Sequence, residues 1–234
     1  IDTFHAKSLE NNPLNSPVER DLNIYLPPGY FEENKNYPVI YYLHGYSGNN
    51  HGWTFTYKDS PHKSNPWPVI PKKILKQIDI NRLTTFERLD EEINSGNLDP
   101  CIIVQPDGSL HEPHIDRRKS LAGVLLTTGS FYVNSPHTGN YMDYIAKDVI
   151  EYIDSNYRTL PEKPNRALMG GSMGGFGTIY ITLHYPEKFI SAAALSPGNL
   201  GKIELLNWEL RIPIYEEILG EKLGKEIGLS TWKD

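Results

Sequence analysis

Residues 170–174, with the sequence Gly-Gly-Ser-Met-Gly, have the types and spacing that a serine nucleophile requires. They match the pattern Gly-x-Ser-x-Gly, which places a serine on a sharp turn between a strand and a helix. Glycine two positions before and after the serine leaves room for the crowded backbone of such a turn. The pattern predicts that Ser172 attacks a carbonyl carbon. The main-chain N–H of Met173, at the start of the following helix, is then placed to stabilise the developing oxyanion.

A second interpretation of the same residues is a glycine-rich turn that only lets a helix pack closely on a strand. Five-residue patterns occur by chance, so the flanking sequence has to decide between the two. A short apolar run precedes Ser172 and an amphipathic helical run follows it. This context favours the nucleophile.

Hydrophobic patterns predict the elements that must position this turn. Apolar or alternating runs predict strands at 20–26, 37–43, 101–104 and 189–195, and helical spacing predicts helices at 80–93, 141–157 and 213–227. Strands that alternate with helices indicate an α/β fold, with a mainly parallel twisted sheet and helices on both faces. Ligands bind at the C-terminal ends of such strands. The loop that begins with His44 and Gly45 and the turn at Ser172 both follow strands, so we expect them to meet there.

Composition limits the possible partners. The chain has 234 residues and a formal net charge of −6 at pH 7, without a long basic run, so we expect no nucleic-acid partner. No apolar run approaches the roughly 18 to 20 residues that cross a bilayer, so we expect no membrane partner. The first residues lack a basic and apolar leader, which leaves secreted and cytoplasmic locations both open.

No cofactor or metal is expected. His111, His114 and Asp116 could contribute to a metal site, but no matching ligand cluster accompanies them, and we interpret this segment as a solvated loop insertion. The single cysteine, Cys101, lies in an apolar run, where we expect a small buried side chain rather than a reactive thiol.

Several stretches beyond the Ser172 turn carry a resemblance to a known family. They are Tyr-Leu-His-Gly-Tyr-Ser-Gly at 42–48, Pro-Asp-Gly at 106–108, Ser-Phe-Tyr-Val-Asn-Ser-Pro at 130–136, Tyr-Ile-Asp-Ser-Asn-Tyr-Arg at 152–158, and 170–175. With these residues the chain resembles the esterase D-like branch of the α/β-hydrolase fold. That group includes feruloyl and acetylxylan esterases, S-formylglutathione hydrolases and mycolyltransferases.

The resemblance implies a role for each matching residue. Ser172 is the nucleophile, and the main-chain N–H groups of Tyr46 and Met173 form the oxyanion hole. His44 matches the His-Gly loop of the family rather than its catalytic histidine, so we do not expect it to be the general base. The substrate implied is a small-molecule or polysaccharide-linked ester, such as a feruloyl or acetyl ester of xylan.

The chain departs from the family pattern after the serine. In this fold the catalytic acid and histidine follow the nucleophile, but here only His184 and one aspartate, Asp234, come after Ser172. A helix would hold His184 three turns from the serine, too far to take its proton. We therefore expect one α/β-hydrolase domain over residues 1–234 that lacks its C-terminal strands. Without the base, activity would fall by a factor on the order of 10⁶.

Two functions of different classes remain at this point. The first is a serine carboxylic ester hydrolase that acts through an acyl-enzyme, in which an aromatic wall would suit a cinnamoyl group. The second is a non-catalytic carbohydrate- or partner-binding module that kept the fold. The complete Gly-x-Ser-x-Gly turn favours the hydrolase, because a binding module does not need a strained serine. The oligomeric state is left open.

Overall fold

The structure is a computed structural model that describes residues 1–46, 48–50, 84–110, 129–136 and 138–198. The predicted helix at 213–227, the segment with His111, His114 and Asp116, and Asp234 lie outside the described residues. The strands are β1 (Asp2–His5), β2 (Glu19–Tyr25), β3 (Val39–Leu43), β4 (Ile102–Pro106), β5 (Asn134–Ser135), β6 (Gly139–Asn140), β7 (Arg166–Gly171) and β8 (Ser191–Leu195).

Six of these strands form one sheet in the order β1-β2-β4-β3-β7-β8. The four strands from β4 to β8 are parallel, whereas β1 and β2 pair in the antiparallel direction. This confirms the mainly parallel sheet. β3 lies between β4 and β7, and its sequence Val-Ile-Tyr-Tyr-Leu is almost entirely buried, as expected of a strand covered on both faces. β1 was not predicted, because its four residues give too short a pattern.

The helices are α1 (Thr85–Asn94), α2 (Tyr141–Asp143), α3 (Ile150–Asn156) and α4 (Met173–His184). α2 and α3 are joined by a π-helical segment, Tyr144–Val149, so the three pieces form one continuous helix where a single helix was predicted. A capping box opens α1, in which the Thr84 side chain accepts the Glu87 N–H and the Glu87 side chain accepts the Thr84 N–H. No helix of the described residues has the length and apolar character needed to span a membrane.

The two faces of β2 show that helices cover both sides of the sheet. The Arg20 guanidinium donates to the Tyr141 hydroxyl of α2, whereas the Tyr25 hydroxyl donates to Asp90 of α1 at 2.7 Å. Side chains an odd number of residues apart in a strand point to opposite faces. The expected packing of helices on both faces is therefore confirmed.

β8 ends the sheet in the described part of the chain. It pairs with β7, and all but one of its residues are exposed, with Leu195 at 52% and the preceding Ile190 at 57%. An apolar strand of this kind suits the interior of a sheet.

The Asp143 carboxylate of α2 accepts hydrogen bonds from three side chains, one in β5, one in the π-helical segment and one directly after α4. Oδ1 accepts hydrogen bonds from the Asn134 amide at 2.9 Å and from the Tyr185 hydroxyl at 2.6 Å, and Oδ2 accepts one from Lys147 at 2.7 Å. Partial burial opposes the charge, but these hydrogen bonds outweigh it and hold the pKa of Asp143 below its ordinary value. The folded state is therefore stabilised by the ionised form.

We expect Asp143→Asn to lower the free energy of unfolding by about 1 to 2 kcal/mol at pH 7, because charged hydrogen bonds are lost. A lowered pKa contributes stability that is present above the unfolded value of about 3.9 and is lost as the pH falls through the folded value. Urea unfolding measured from pH 7 to pH 3 checks this. The difference in free energy of unfolding between Asp143→Asn and the unsubstituted protein should become smaller in the acid range.

Asp148→Asn is the matched control. Burial raises the pKa of Asp148 despite its hydrogen bonds from Ser8. The unsubstituted protein should therefore gain stability relative to Asp148→Asn as the pH falls, the opposite trend. The same trend for both substitutions would contradict this account.

Candidate functional site

Ser172 occupies a strained turn between the end of β7 and the start of α4. Its backbone has φ 54° and ψ −116°, a combination that residues other than glycine rarely adopt, and its side chain is exposed. Such strain costs on the order of 1 to 3 kcal/mol and persists only where the surroundings enforce it.

Backbone hydrogen bonds enforce the conformation of Ser172. The Ser172 N–H donates to the Leu195 carbonyl at 2.9 Å, at the end of β8. The Ser172 carbonyl accepts the N–H groups of Phe176 and Gly198, each at 3.0 Å. The turn is thus tied to the next strand on one side and to the first turn of α4 on the other.

The two outer glycines of the pattern allow α4 to approach the sheet. A Cβ atom on Gly174 would overlap the Leu43 carbonyl group at the end of β3. One on Gly170 would lie 2.6 Å from the Gly174 carbonyl and 2.8 Å from the Leu43 oxygen. Any side chain at either position would push the helix away from β3, so the spacing of the pattern reflects backbone contact.

The loop after β3 lies directly opposite Ser172. A Cβ built on Gly45 would be 3.7 Å from the Ser172 Cβ. The Tyr46 ring and the Met173 sulfur lie close together, because a Cβ on Gly129 would overlap both. The structure therefore brings the three predicted site residues, Ser172, Tyr46 and Met173, to one place. Met173 is the first residue of α4, where an N–H has no partner within the helix.

His44 is buried, with 4% exposure, and both of its ring nitrogens are engaged. The Gly108 N–H donates to Nε2 at 2.9 Å, so Nε2 is the acceptor, and Nδ1 carries the proton, which it donates to the Gly45 carbonyl at 2.9 Å. Asp107 Oδ1 lies 3.6 Å from Nε2, but this is not an ion pair because the Nε2 lone pair already accepts the Gly108 N–H. This arrangement leaves neither nitrogen to accept a proton from serine.

The two other described histidines are also engaged. His184 lies at the far end of α4, about 18 Å along the axis from Ser172 at 1.5 Å per residue, with Nδ1 2.8 Å from the Tyr180 carbonyl. His5 lies at the surface between Glu10 at 2.8 Å and Glu19 at 2.9 Å, and their hydrogen bonds raise its pKa.

The sequence predicts no role for three residues near His44, which are Gly108, Ser130 and Tyr132. Tyr132 is fully buried and its hydroxyl donates to the His44 carbonyl at 3.2 Å. The Ser130 hydroxyl donates to the Gly108 carbonyl at 2.6 Å and accepts the Tyr132 N–H at 3.2 Å. Both motifs, 106–108 and 130–136, were noted, but residue types alone do not indicate that they meet around His44.

The described residues contain no group of three or more metal-ligating side chains arranged to hold an ion. Cys101 is buried, as expected, and this burial raises the pKa of its thiol to about 11, so it is not a reactive thiolate at neutral pH.

Comparison with known proteins shows which family this chain belongs to. Residues 16–208 match the esterase family that is described as "Putative esterase". The chain belongs to this esterase family. Its curated relatives include an endo-1,4-beta-xylanase/feruloyl esterase of Xylanibacter ruminicola, 28% identical over 181 residues, which cover 76% of this chain and 19% of that protein.

Solved structures with the same fold are esterases and hydrolases. A ferulic acid esterase superposes with a TM-score of 0.58 at 23% identity, covering 84% of this chain and 57% of the other. An S-formylglutathione hydrolase of Staphylococcus aureus gives 0.53 at 19% identity, covering 88% and 59%. These neighbours confirm the α/β-hydrolase fold of this esterase family member. The chain spans a little over half of these two structures and about a fifth of the xylanase/feruloyl esterase.

We expect Ser172→Gly to be more stable than Ser172→Ala by about 1 kcal/mol, because glycine adopts positive φ without strain. Ser155 is a control, since it is exposed within α3. There the order should reverse, with Ser155→Gly less stable than Ser155→Ala by about 1 kcal/mol. Urea unfolding of the four variants measures both differences. Equal stability of the two Ser172 variants would mean that the turn stores no strain.

Proposed function

We propose that the protein is a serine carboxylic ester hydrolase that acts through an acyl-enzyme. The Ser172 hydroxyl attacks the ester carbonyl, and the N–H groups of Tyr46 and Met173 stabilise the resulting oxyanion. The alcohol leaves, and water then hydrolyses the acyl-enzyme and releases the acid. The observation that carries the proposal is the strained, exposed Ser172 directly opposite Gly45.

The general base of this reaction is not among the described histidines. His5 and His184 make other contacts, and both nitrogens of His44 are committed to the backbone. We propose that the base comes from residues outside the described part of this fold. Ester turnover therefore requires a protein that includes this base.

A row of aromatic rings runs from the loop after β3 to the first turn of α4, the two segments that flank Ser172, and favours an aromatic acyl group. Tyr46 packs against Phe131 with ring centroids 5.8 Å apart, and Phe131 packs edge-on against Phe176, also at 5.8 Å. The Tyr46 ring also lies close to the sulfur of Met173, the neighbour of Ser172, because both border the space beside Gly129. Such a wall suits the phenyl ring of a cinnamoyl ester. The relative from Xylanibacter ruminicola is named a feruloyl esterase, which supports the same substrate class for this chain.

The second candidate function is a non-catalytic binding module for carbohydrate or a protein partner. The engagement of every described histidine favours it. The strained Ser172 argues against it, because binding alone gives no reason to keep a residue at φ 54°.

We expect a fluorophosphonate probe to label the full-length protein, which includes the general base, once on the peptide that contains Ser172, and p-nitrophenyl acetate to be hydrolysed at the same site. Ser172→Ala should abolish both, whereas Ser155→Ala should leave both unchanged. Mass spectrometry of the adduct and a colorimetric assay give the two readouts. If xylan fragments bind equally to the unsubstituted protein and Ser172→Ala, and no probe adduct forms, the binding module is correct instead.

The aromatic wall predicts that Phe131→Ala weakens ferulate binding about tenfold, because one ring contact worth about 1 kcal/mol and its buried area are lost. Binding of acetate should not change. Phe31→Ala is the control, since Phe31 is 82% exposed and packs on Tyr30. Calorimetric titration with ferulate measures the effect without requiring turnover. Equal affinity of the Phe131→Ala and Phe31→Ala variants would exclude this wall from the acyl site.

A further inference from the structure

The peptide group between Gly45 and Tyr46 is held by its carbonyl oxygen. That oxygen accepts the Gly48 N–H at 3.0 Å and the Nδ1–H of His44 at 2.9 Å. A trans peptide group is planar, and its C=O and N–H bonds point in opposite directions. Fixing the Gly45 oxygen therefore fixes the direction of the Tyr46 N–H on the other side of the same group.

The preceding peptide group, between His44 and Gly45, is held by Tyr132. The Tyr132 hydroxyl donates to the His44 carbonyl at 3.2 Å, and the two rings meet edge-on with centroids 5.7 Å apart. Burial raises the pKa of Tyr132 well above its ordinary value, so the hydroxyl remains a proton donor. Two successive peptide groups of the loop are thus fixed by buried side chains.

Tyr132 is itself held in a narrow slot. A Cβ on Gly108 or on Gly177 would overlap its ring. Its backbone lies at φ 56°, directly after Phe131 at φ 52°, and two successive strained residues require enforcement by their surroundings. Ser130 supplies part of it by bonding both the Gly108 carbonyl and the Tyr132 N–H.

We propose that His44 and Tyr132 are positioning residues of the oxyanion hole, an inference that rests on the proposed function. Neither touches the substrate. Tyr132 fixes the His44–Gly45 peptide group, and His44, as the neutral Nδ1–H form, fixes the Gly45–Tyr46 peptide group so that the Tyr46 N–H faces the oxyanion.

The same hydrogen bond strengthens the donor that it orients. A proton given to a peptide oxygen polarises the whole group, and hydrogen bonds in a chain reinforce one another. The Gly108 N–H that donates to Nε2 extends this chain, since it fixes which nitrogen of His44 carries the proton. The order of donors is therefore Gly108, His44 and then the Gly45–Tyr46 peptide group.

Two substitutions, His44→Asn and His44→Leu, distinguish a positioning role of His44 from a role as general base. Asparagine and leucine have similar shapes, but only asparagine offers an N–H near the place of Nδ1. We expect His44→Leu to lower the second-order rate of fluorophosphonate labelling about 10²-fold, as when an oxyanion donor is lost, and His44→Asn to restore about tenfold of that loss. Where esters are turned over, kcat should fall with KM nearly unchanged.

Tyr132→Phe removes one hydroxyl and keeps the ring. We expect labelling to slow about three- to tenfold, the loss of one hydrogen bond. Tyr157→Phe is the matched control and should label at the unsubstituted rate, because its hydroxyl donates to Asp2 at 2.6 Å, away from the loop. The final extent of labelling gives the fraction of each variant that is folded, and each labelling rate is corrected for that fraction.

A nitrogen-15 NMR spectrum of the histidine side chains tests the arrangement without activity. The resonances that disappear in His44→Asn should show a protonated Nδ1 and an acceptor Nε2. A protonated Nε2, equal labelling of His44→Asn and His44→Leu, or unchanged labelling of Tyr132→Phe would each overturn the proposal. Absence of labelling in the unsubstituted full-length protein would instead refute the proposed hydrolase, and the nitrogen-15 spectrum alone would then decide whether His44 orients the loop.

Discussion

Backbone contact between α4 and the end of β3 is the constraint on which the site depends. The Leu43 carbonyl lies where any side chain on Gly170 or Gly174 would have to be. Because the helix comes this close, Ser172 is forced into a positive-φ turn above the ends of β3 and β7. The strain is maintained by backbone hydrogen bonds to the Leu195 carbonyl and from the Gly198 N–H, so the β8 end of the sheet also contributes.

The same contact places the facing loop. The chain leaves β3 at Leu43, next to α4, and Gly45 follows so near to Ser172 that an added Cβ on Gly45 would be in van der Waals contact with it. A loop this short can direct an N–H reliably only if its peptide groups cannot rotate. Buried hydrogen bonds from His44 and Tyr132 restrict that rotation, and burial makes each of them expensive to break.

The sequence predicted the parallel strands, the long helices at 85–94 and 141–156, and the meeting of Ser172 with the loop at Gly45 and Tyr46, because these follow from local patterns. Apolar runs mark buried strands, and Gly-x-Ser-x-Gly reports a backbone contact directly. The environment of His44 could not be predicted in the same way. Its partners Gly108 and Tyr132 are 64 and 88 residues away in sequence. The residue types in Ser-Phe-Tyr at 130–132 do not predict two successive residues at positive φ. The π-helical segment was missed for a similar reason, since its apolar spacing is also helical.

The described residues divide the proposed reaction into two parts. Stabilising the oxyanion depends on main-chain N–H groups, so glycines and buried hydrogen bonds near Ser172 are enough to build that part. Moving a proton depends on a side chain with a free lone pair, and His44, the described histidine closest in sequence to the Gly45–Tyr46 loop, uses its lone pair to accept the Gly108 N–H. A histidine that holds the oxyanion loop cannot also serve as the base, because protonating Nε2 would break the hydrogen bond that keeps the proton on Nδ1. In the proposed reaction, the two tasks therefore require two different side chains.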